Sequence, residues 1–565
     1  MRRAFEMDLV QAEAIASEPA PRAGTVRVGR AIWIAVLGLA TAAAALPALF
    51  FTPLNHDVAC ALYYSRRMMA GDRIYRDFVE NNPPLAYYVY MPIEWIAQHA
   101  AIPEIKVLAA VLVALTIGVM WLGARLLRLE ARQSAVARGA VLLSCAAAVL
   151  LLPERGLGQR EHLTVLLIIP YVLLCAVRAD GIARVSRGLT LMVAAAAAVG
   201  FGLKPHFCAA LLALMVYVAV KRRDLRAALT LENITVVSLL ALYAVAVLVW
   251  TPEYMTQMVG IAVGHYGAYT SELSQLLQGP TVRLLLAALV MLLCASSWLS
   301  GSRDSVRVIQ ALALTGLAFF VLYVVEGTTF RYHLLPAEVF YVMALATTIA
   351  TFVGTMANKS TATADPQPPA RRTIRLAIST GALTLCALPG VVIGSNVYDL
   401  HRADLQEALV GNESPLAGPL IPFVRAAAGP GQPVYVLSTS VNPAFPLINL
   451  TGTTWPYRYN TLWLLPTYYR DEEDRGVAVY HAPAAQSPGE RAFFDEIIAD
   501  LRKTPPTVLI VDRFRMKQGF DTKKFDFVEY YSQSPEFAAL FREYKLIAQI
   551  VPYDVYKRVG PPATR

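Results

Sequence analysis

Acid–base chemistry is the first thing this sequence offers. Residues 55–92, NHDVACALYYSRRMMAGDRIYRDFVENNPPLAYYVYMP, set the carboxylates Asp57, Asp72, Asp77 and Glu80 among Arg66, Arg67, Arg73 and Arg76. A connector between helices needs only about 2–8 residues, so a polar stretch this long reads as a loop that carries a site. Asp57 opens it beside His56 and is the first candidate for an acid or base. Asp72, Asp77 and Glu80 read as scaffolding paired with the arginines. A second cluster, Glu154-Arg155 and Gln159-Arg160-Glu161-His162, offers Glu161 as another acid or base, with Arg160 and His162 beside it. Lys204 and His206 in GLKPHF, the pair His265-Tyr266, and Glu326 with Arg331, Tyr332 and His333 complete the polar set.

The elements that must position these groups are apolar. The chain has 565 residues, 56% hydrophobic and 16% charged, with a mean hydropathy of +0.47. That composition belongs to a polytopic membrane protein. After a polar tail (1–30), apolar runs at 31–51, 105–124, 139–153, 161–177, 188–203, 206–220, 232–250, 284–300, 308–325, 334–356 and 376–394 predict eleven spans. The run 31–51 reads as a retained anchor rather than a cleaved signal. The net charge of +9 does not point to nucleic acid, because the basic residues fall in alternate short loops. Arg125, Arg128, Arg132 and Arg138 share one; Arg178, Arg184 and Arg187 another; Lys221-Arg222-Arg223, Arg303 with Arg307, and Lys359 with Arg371, Arg372 and Arg375 follow. Residues 251–282 carry no Lys or Arg. The positive-inside rule then places the N-terminus in the cytoplasm and the 52–104 loop outside. The six cysteines stand singly, without metal-type spacing, and no disulfide framework is expected.

From residue 395 the composition becomes that of a soluble α/β domain, outside the membrane by the odd span count. VYVLSTS (434–440), TVLIVD (507–512) and YKLIAQIVPYDVYKR (544–558) read as strands, and ERAFFDEIIADLRK (490–503) as a helix. No glycine fingerprint for phosphate is present in it. The aromatic stretch WPYRYNTLWLLPTYY (455–469) reads either as core or interface belt, or as a lid over substrate. Lys204 and Arg331 stand at span ends on the outer side, against the topology rule, and an anionic ligand such as a lipid phosphate would account for them. Snorkelling of Lys204 and pairing of Arg331 with Glu326 or Glu338 are the plainer readings.

At these residues the chain resembles the GT-C membrane glycosyltransferases of the protein O-mannosyltransferase and aminoarabinose-transferase superfamily. The likeness rests on NHD after the first span, GDRIY (71–75) and PPLAYYVY (83–90) downstream, QREHLTVLL at the fourth span, GLKPHF closing a later one, and FRYHLLP before a late one. The family's first motif often has two adjacent acids, whereas Asp57 is followed by Val58. The resemblance implies a polyprenyl-phosphate-linked monosaccharide as donor, without a nucleotide sugar. Asp57 resembles the base that deprotonates the acceptor hydroxyl, and Glu161 its partner carboxylate. Lys204 and Arg331, with His333, resemble ligands of the leaving phosphate. His56, Tyr75, Arg160, His162, His206, His265 and Tyr266 are candidate substrate contacts. The acceptor would be an envelope glycan, glycolipid or protein, and the location a bacterial inner membrane. A divalent cation between Asp57 and Glu161 stays open. Two other classes remain: a transporter or flippase of lipid-linked sugars, and an O-antigen-type polymerase.

Overall fold

The computed structural model describes residues 38–560 apart from 40, 42, 47–48, 130–132, 182–184, 301–304, 361–368, 410–413, 416 and 475. The tail 1–30 and part of the run 31–51 lie outside these residues.

The stretch expected as a loop is largely helical. Helix α1 (His56–Met69) is capped by Asn55, whose side chain accepts from the backbone N–H of Asp57 at 2.9 Å and of Val58 at 3.3 Å. Every residue from Val58 to Ser65 is buried, so the middle of α1 is enclosed on all sides within a stretch that reads as polar overall. A second helix, α2 (Met91–Ala100), follows and ends at Ala101 in the left-handed conformation.

The ten apolar runs after it are all helical: α3 (Glu104–Leu127), α4 (Ala135–Leu151), α5 (Arg160–Ala179), α6 (Arg187–Gly202), α7 (Cys208–Arg222), α8 (Leu231–Trp250), α9 (Pro280–Leu299), α10 (Val306–Glu326), α11 (Leu335–Ser360) and α12 (Pro369–Leu409). Among the described residues eight helices are long and apolar enough to cross a bilayer, while α4 and α6 are shorter. The chain is a polytopic helical membrane protein. Helix α5 is its centre, buried almost continuously from Glu161 to Ala179. Helix α6 crosses it closely at Gly200, where a Cβ would meet Ile168 Cγ2 at 2.8 Å and the Thr164 carbonyl at 3.3 Å. Arg178 pairs with the buried Glu232 at 2.6 Å and ties α5 to α8.

Helix α12 runs unbroken for 41 residues, past the expected span end at 394. Residues 395–409 contain neither Gly nor Pro, so nothing stops the helix where the apolar run ends. At about 1.5 Å per residue it is long enough to project beyond a bilayer.

The C-terminal strands lie where the sequence places them. β1 (Val434–Leu437), β2 (Val508–Asp512), β3 (Tyr544–Ile550) and β4 (Tyr553–Arg558) form one mixed sheet in the order β1-β2-β4-β3. β1 and β2 are parallel, with Val434 opposite Val508, and the other two pairs are antiparallel. Helix α13 (Ala444–Thr451) and helix α14 (Pro488–Lys503) lie in the β1–β2 crossover.

The aromatic stretch joins this sheet to α1. Trp455 is fully buried, stacks on Tyr435 with centroids 4.8 Å apart, and donates its backbone N–H to the Tyr63 hydroxyl. Arg67 donates to the Tyr457 carbonyl at 3.0 Å, and Val79 to the Arg458 carbonyl at 2.8 Å. Replacing Trp455 with Ala should cost about 3–5 kcal/mol and loosen the sheet from α1. Limited proteolysis of the purified protein would then cut earlier near residues 70–82, whereas an unchanged pattern would mean the two parts hold together without it.

Candidate active site at one end of the helix bundle

The ends of α4 and α10, the starts of α5 and α11, and the junction of α6 with α7 gather at one end of the bundle, beneath the C-terminal sheet. Between bundle and sheet lies a cavity of about 540 Å³. Its bundle side comes from the start of α1, residues 152–160 and residues 330–338; its far side comes from residues 439–442, 460–463 and Gln518.

Asp57 lines this cavity from the first turn of α1, at the positive end of the helix dipole. Gln159 Nε2 donates to Asp57 Oδ2 at 3.2 Å and to Asn55 Oδ1 at 2.9 Å, and Asn55 Nδ2 donates to the Arg155 carbonyl at 2.7 Å. These contacts join the start of α1 to the start of α5. His56 stands beside Asp57, its Nε2 3.7 Å from Asp57 Oδ1.

Glu80 was the carboxylate assigned to scaffolding, and here the structure differs. It pairs with none of the nearby arginines. It is 4% exposed, lines the cavity, and accepts from Asn460 Nδ2 at 2.7 Å. Burial pushes its carboxyl up to about 7, with the nearby Asp57 adding to the rise and Arg160 opposing it. A carboxyl that exchanges its proton near neutrality is suited to general acid–base work. The sequence signal was weak: only the position of Glu80 just before Asn81-Asn82-Pro83-Pro84 set it apart. The asparagine that holds it stands 380 residues away.

Glu161 and Lys204 are displaced from the roles expected of them. Neither lines the cavity. Glu161 is 1% and Lys204 8% exposed, and they form an ion pair of 2.6 Å. Lys204 Nζ also meets Glu326 Oε1 at 2.7 Å and His333 Nε2 at 3.3 Å. His333 Nδ1 stands 2.8 Å from Glu326 Oε2 and 2.7 Å from Thr328 Oγ1, and His206 Nε2 2.7 Å from Glu326 Oε1. Lys204, His206 and His333 are thus taken up by a buried network, because two carboxylates at this depth need the ammonium as counter-charge. Glu161, Glu326 and His333 also have metal-type spacing, with ligating atoms within 4.8 Å of one another. The Lys204 ammonium supplies the positive charge there. The cation option drawn from the sequence paired Asp57 with Glu161, and the fold gives those two residues different partners.

The remaining candidates divide. Arg160 and Arg331 line the cavity. Arg331 pairs with Glu154 at 2.8 Å, not with Glu326 or Glu338. Arg160 Nη1 is buried and meets no acceptor among the described residues. His162 is buried, its Nδ1 accepting from the Gly158 N–H at 3.0 Å. Tyr75 is buried with its hydroxyl on the Asn82 carbonyl. His265 packs edge-on against Tyr468 and Trp463, outside the cavity lining. The side chain of Tyr266 lies outside the described residues. The aromatic stretch proves to be both things at once: Trp455 and Tyr457 are core, and Trp463 faces the cavity.

Two measurements follow from these environments. Lys204→Met leaves two buried carboxylates without a counter-charge and should cost about 3–5 kcal/mol. Adding Glu161→Gln should recover part of the lost thermal stability, and no recovery would mean the pair is not coupled. Glu80 binds its proton in the folded state up to about pH 7 but in the unfolded chain only up to about 4.5. It therefore favours folding below pH 4.5, and that contribution is lost as the pH rises through 7. Glu80→Gln should raise the melting temperature at pH 8, by an amount worth at most about 3 kcal/mol, and leave it nearly unchanged near pH 4.5. No protein-family model matches the sequence and no curated protein matches it, so what the cavity does rests on its own geometry.

Proposed function

We propose that the protein is a GT-C-type membrane glycosyltransferase that moves a monosaccharide from a polyprenyl-phosphate donor to a hydroxyl of an envelope glycan, glycolipid or protein. The observation that carries this reading is the cavity itself. Carboxylates and guanidinium groups, among them Asp57 and Glu80, Arg160 and Arg331, line one space at one end of the membrane-spanning helices. A lipid with its tail among the helices would present its phosphate and sugar at that level.

The chemistry follows from those charges. Asp57 removes the proton from the acceptor hydroxyl as its oxygen attacks the anomeric carbon. The bond from that carbon to the phosphate oxygen breaks, and the pair of electrons leaves with the polyprenyl phosphate. A single displacement inverts the anomeric centre. The leaving group is an anion already, so it needs cations more than a proton donor, and Arg160 and Arg331 are the nearest. Glu80, close to half-ionised at neutral pH, exchanges a proton with the acceptor or a sugar hydroxyl. In this reading eleven spans place the N-terminus in the cytoplasm of a bacterial cell and the C-terminal unit on the outer side of the inner membrane. The buried Lys204 network holds the floor of the site and is not the phosphate seat.

Asp57→Asn should lower turnover by about 10²–10⁴-fold while leaving the affinity for polyprenyl-phosphate sugars within about threefold. The measurement is release of free polyprenyl phosphate from purified protein given donor and an envelope extract. If lipid binding persists and Asp57→Asn leaves vesicle-to-vesicle movement of the lipid and its turnover unchanged, transport takes the place of transfer.

A further inference from the structure

The cavity has three amide oxygens with nothing to accept. Asn460 is held by Glu80: its Nδ2 donates to Glu80 Oε1 at 2.7 Å. The same Nδ2 stands 3.7 Å from Cys60 Sγ, so the amide is set with Oδ1 turned away from both. That Oδ1 is buried and meets no donor among the described residues. Gln159 is fixed in the same way, because its Nε2 serves Asn55 Oδ1 at 2.9 Å and Asp57 Oδ2 at 3.2 Å. Its Oε1 is likewise buried without a donor, and so is Oδ1 of Asn442. All three residues line the same cavity. Buried acceptors left without donors are uncommon, and three around one space point to a ligand that brings the donors.

The chemistry of that ligand is narrow. The phosphodiester of a sugar-linked lipid carries no proton at neutral pH, offers oxygens only and would be repelled, and a prenyl tail offers nothing. Hydroxyl groups supply donors at several points of a small ring, as a monosaccharide does. The position of the acceptors is informative too. Asn442 and Asn460 belong to the C-terminal unit, and Thr439 to Asn442 lie in the loop that leaves the carboxyl end of the parallel strand β1. The crevice outside the carboxyl ends of parallel strands is where α/β sheets take their ligands.

We propose that Asn442 and Asn460, with Gln159 facing them from the bundle, select the sugar by accepting hydrogen bonds from its hydroxyls. Sugar specificity then resides in the loops of the sheet, and phosphate and acid–base chemistry in the membrane helices. This rests on the glycosyltransferase reading. Asn460 has a second part as a positioning residue, since the amide that reads the sugar also orients Glu80.

The test uses the full chain in lipid nanodiscs and equilibrium binding of three probes: undecaprenyl phosphate, undecaprenyl-phosphate mannose and undecaprenyl-phosphate glucose. The wild type should prefer at least one glycosylated lipid to bare undecaprenyl phosphate. Asn442→Ala should weaken that preferred lipid about tenfold and leave undecaprenyl phosphate unchanged. Asn442→Asp, which keeps an acceptor oxygen in place, should restore most of the preference. Equal weakening of glycosylated and bare lipid, or no weakening by Asn442→Ala, would overturn the inference. If the wild type still released polyprenyl phosphate in that case, the transferase reading would stand without it. A wild type that bound none of the three probes would remove both.

Discussion

A single buried ammonium fixes one end of this bundle. Lys204 Nζ lies 2.6 Å from Glu161 Oε1 and 2.7 Å from Glu326 Oε1, and His333 and His206 close the network around Glu326. Those residues come from the start of α5, the α6–α7 junction, the end of α10 and the turn before α11. Taking charges out of water is expensive unless each meets its partner. Their pairing therefore admits few alternative placements of these helix ends. Helix α5 is held at its first turn, and the segment 154–160 that precedes it is held with it. Everything that lines the cavity from below depends on that placement.

The cavity's own charges are paired with long reach. Arg155 donates twice to Asp404 Oδ1, at 2.9 and 2.7 Å, from a residue near the end of the 41-residue α12. Arg331 joins Glu154 at 2.8 Å. These contacts set the rim and fix where those guanidinium groups lie. Arg160 Nη1 has no acceptor among the described residues, and Asp57 lines the cavity with His56 Nε2 3.7 Å from its Oδ1. Structure and chemistry are divided between neighbouring residues of one short segment: Glu161 binds the scaffold, while Gln159 and Arg160 face the ligand space.

The sheet does more than cover the opening. Trp455 on Tyr435, the Tyr63 hydroxyl at the Trp455 N–H, and Asn460 on Glu80 bind it to α1 and to the residues that follow α1. Glu80 is therefore shaped by both halves of the chain. The 70–82 segment brings the carboxylate, and the C-terminal unit brings the amide and the burial that raise and orient it. A site divided in this way exists only when both parts are docked, which couples the folding of the C-terminal unit to the readiness of the helix bundle.

The membrane class, the positions of ten helices and the four strands were legible in the sequence, because each rests on a local pattern of apolar residues that survives any tertiary arrangement. The polar residues that matter were legible as a set, since charge beside apolar runs is costly wherever the helices go. Their division of labour was not. Lys204 and Glu161 read as site residues because nothing local reveals that they are 2.6 Å apart and buried. Glu80 read as scaffolding because four arginines stand near it in sequence, while its partner, Asn460, comes from the far end of the chain. Helix α1 was hidden for a related reason: its buried apolar run, Val58 to Tyr64, is short, and the charged residues on either side made the stretch look like a loop. Pairing and burial are long-range properties of charge. The sequence by itself determined which charges must be explained, and only the tertiary structure decided which of them neutralise one another and which are left for a ligand.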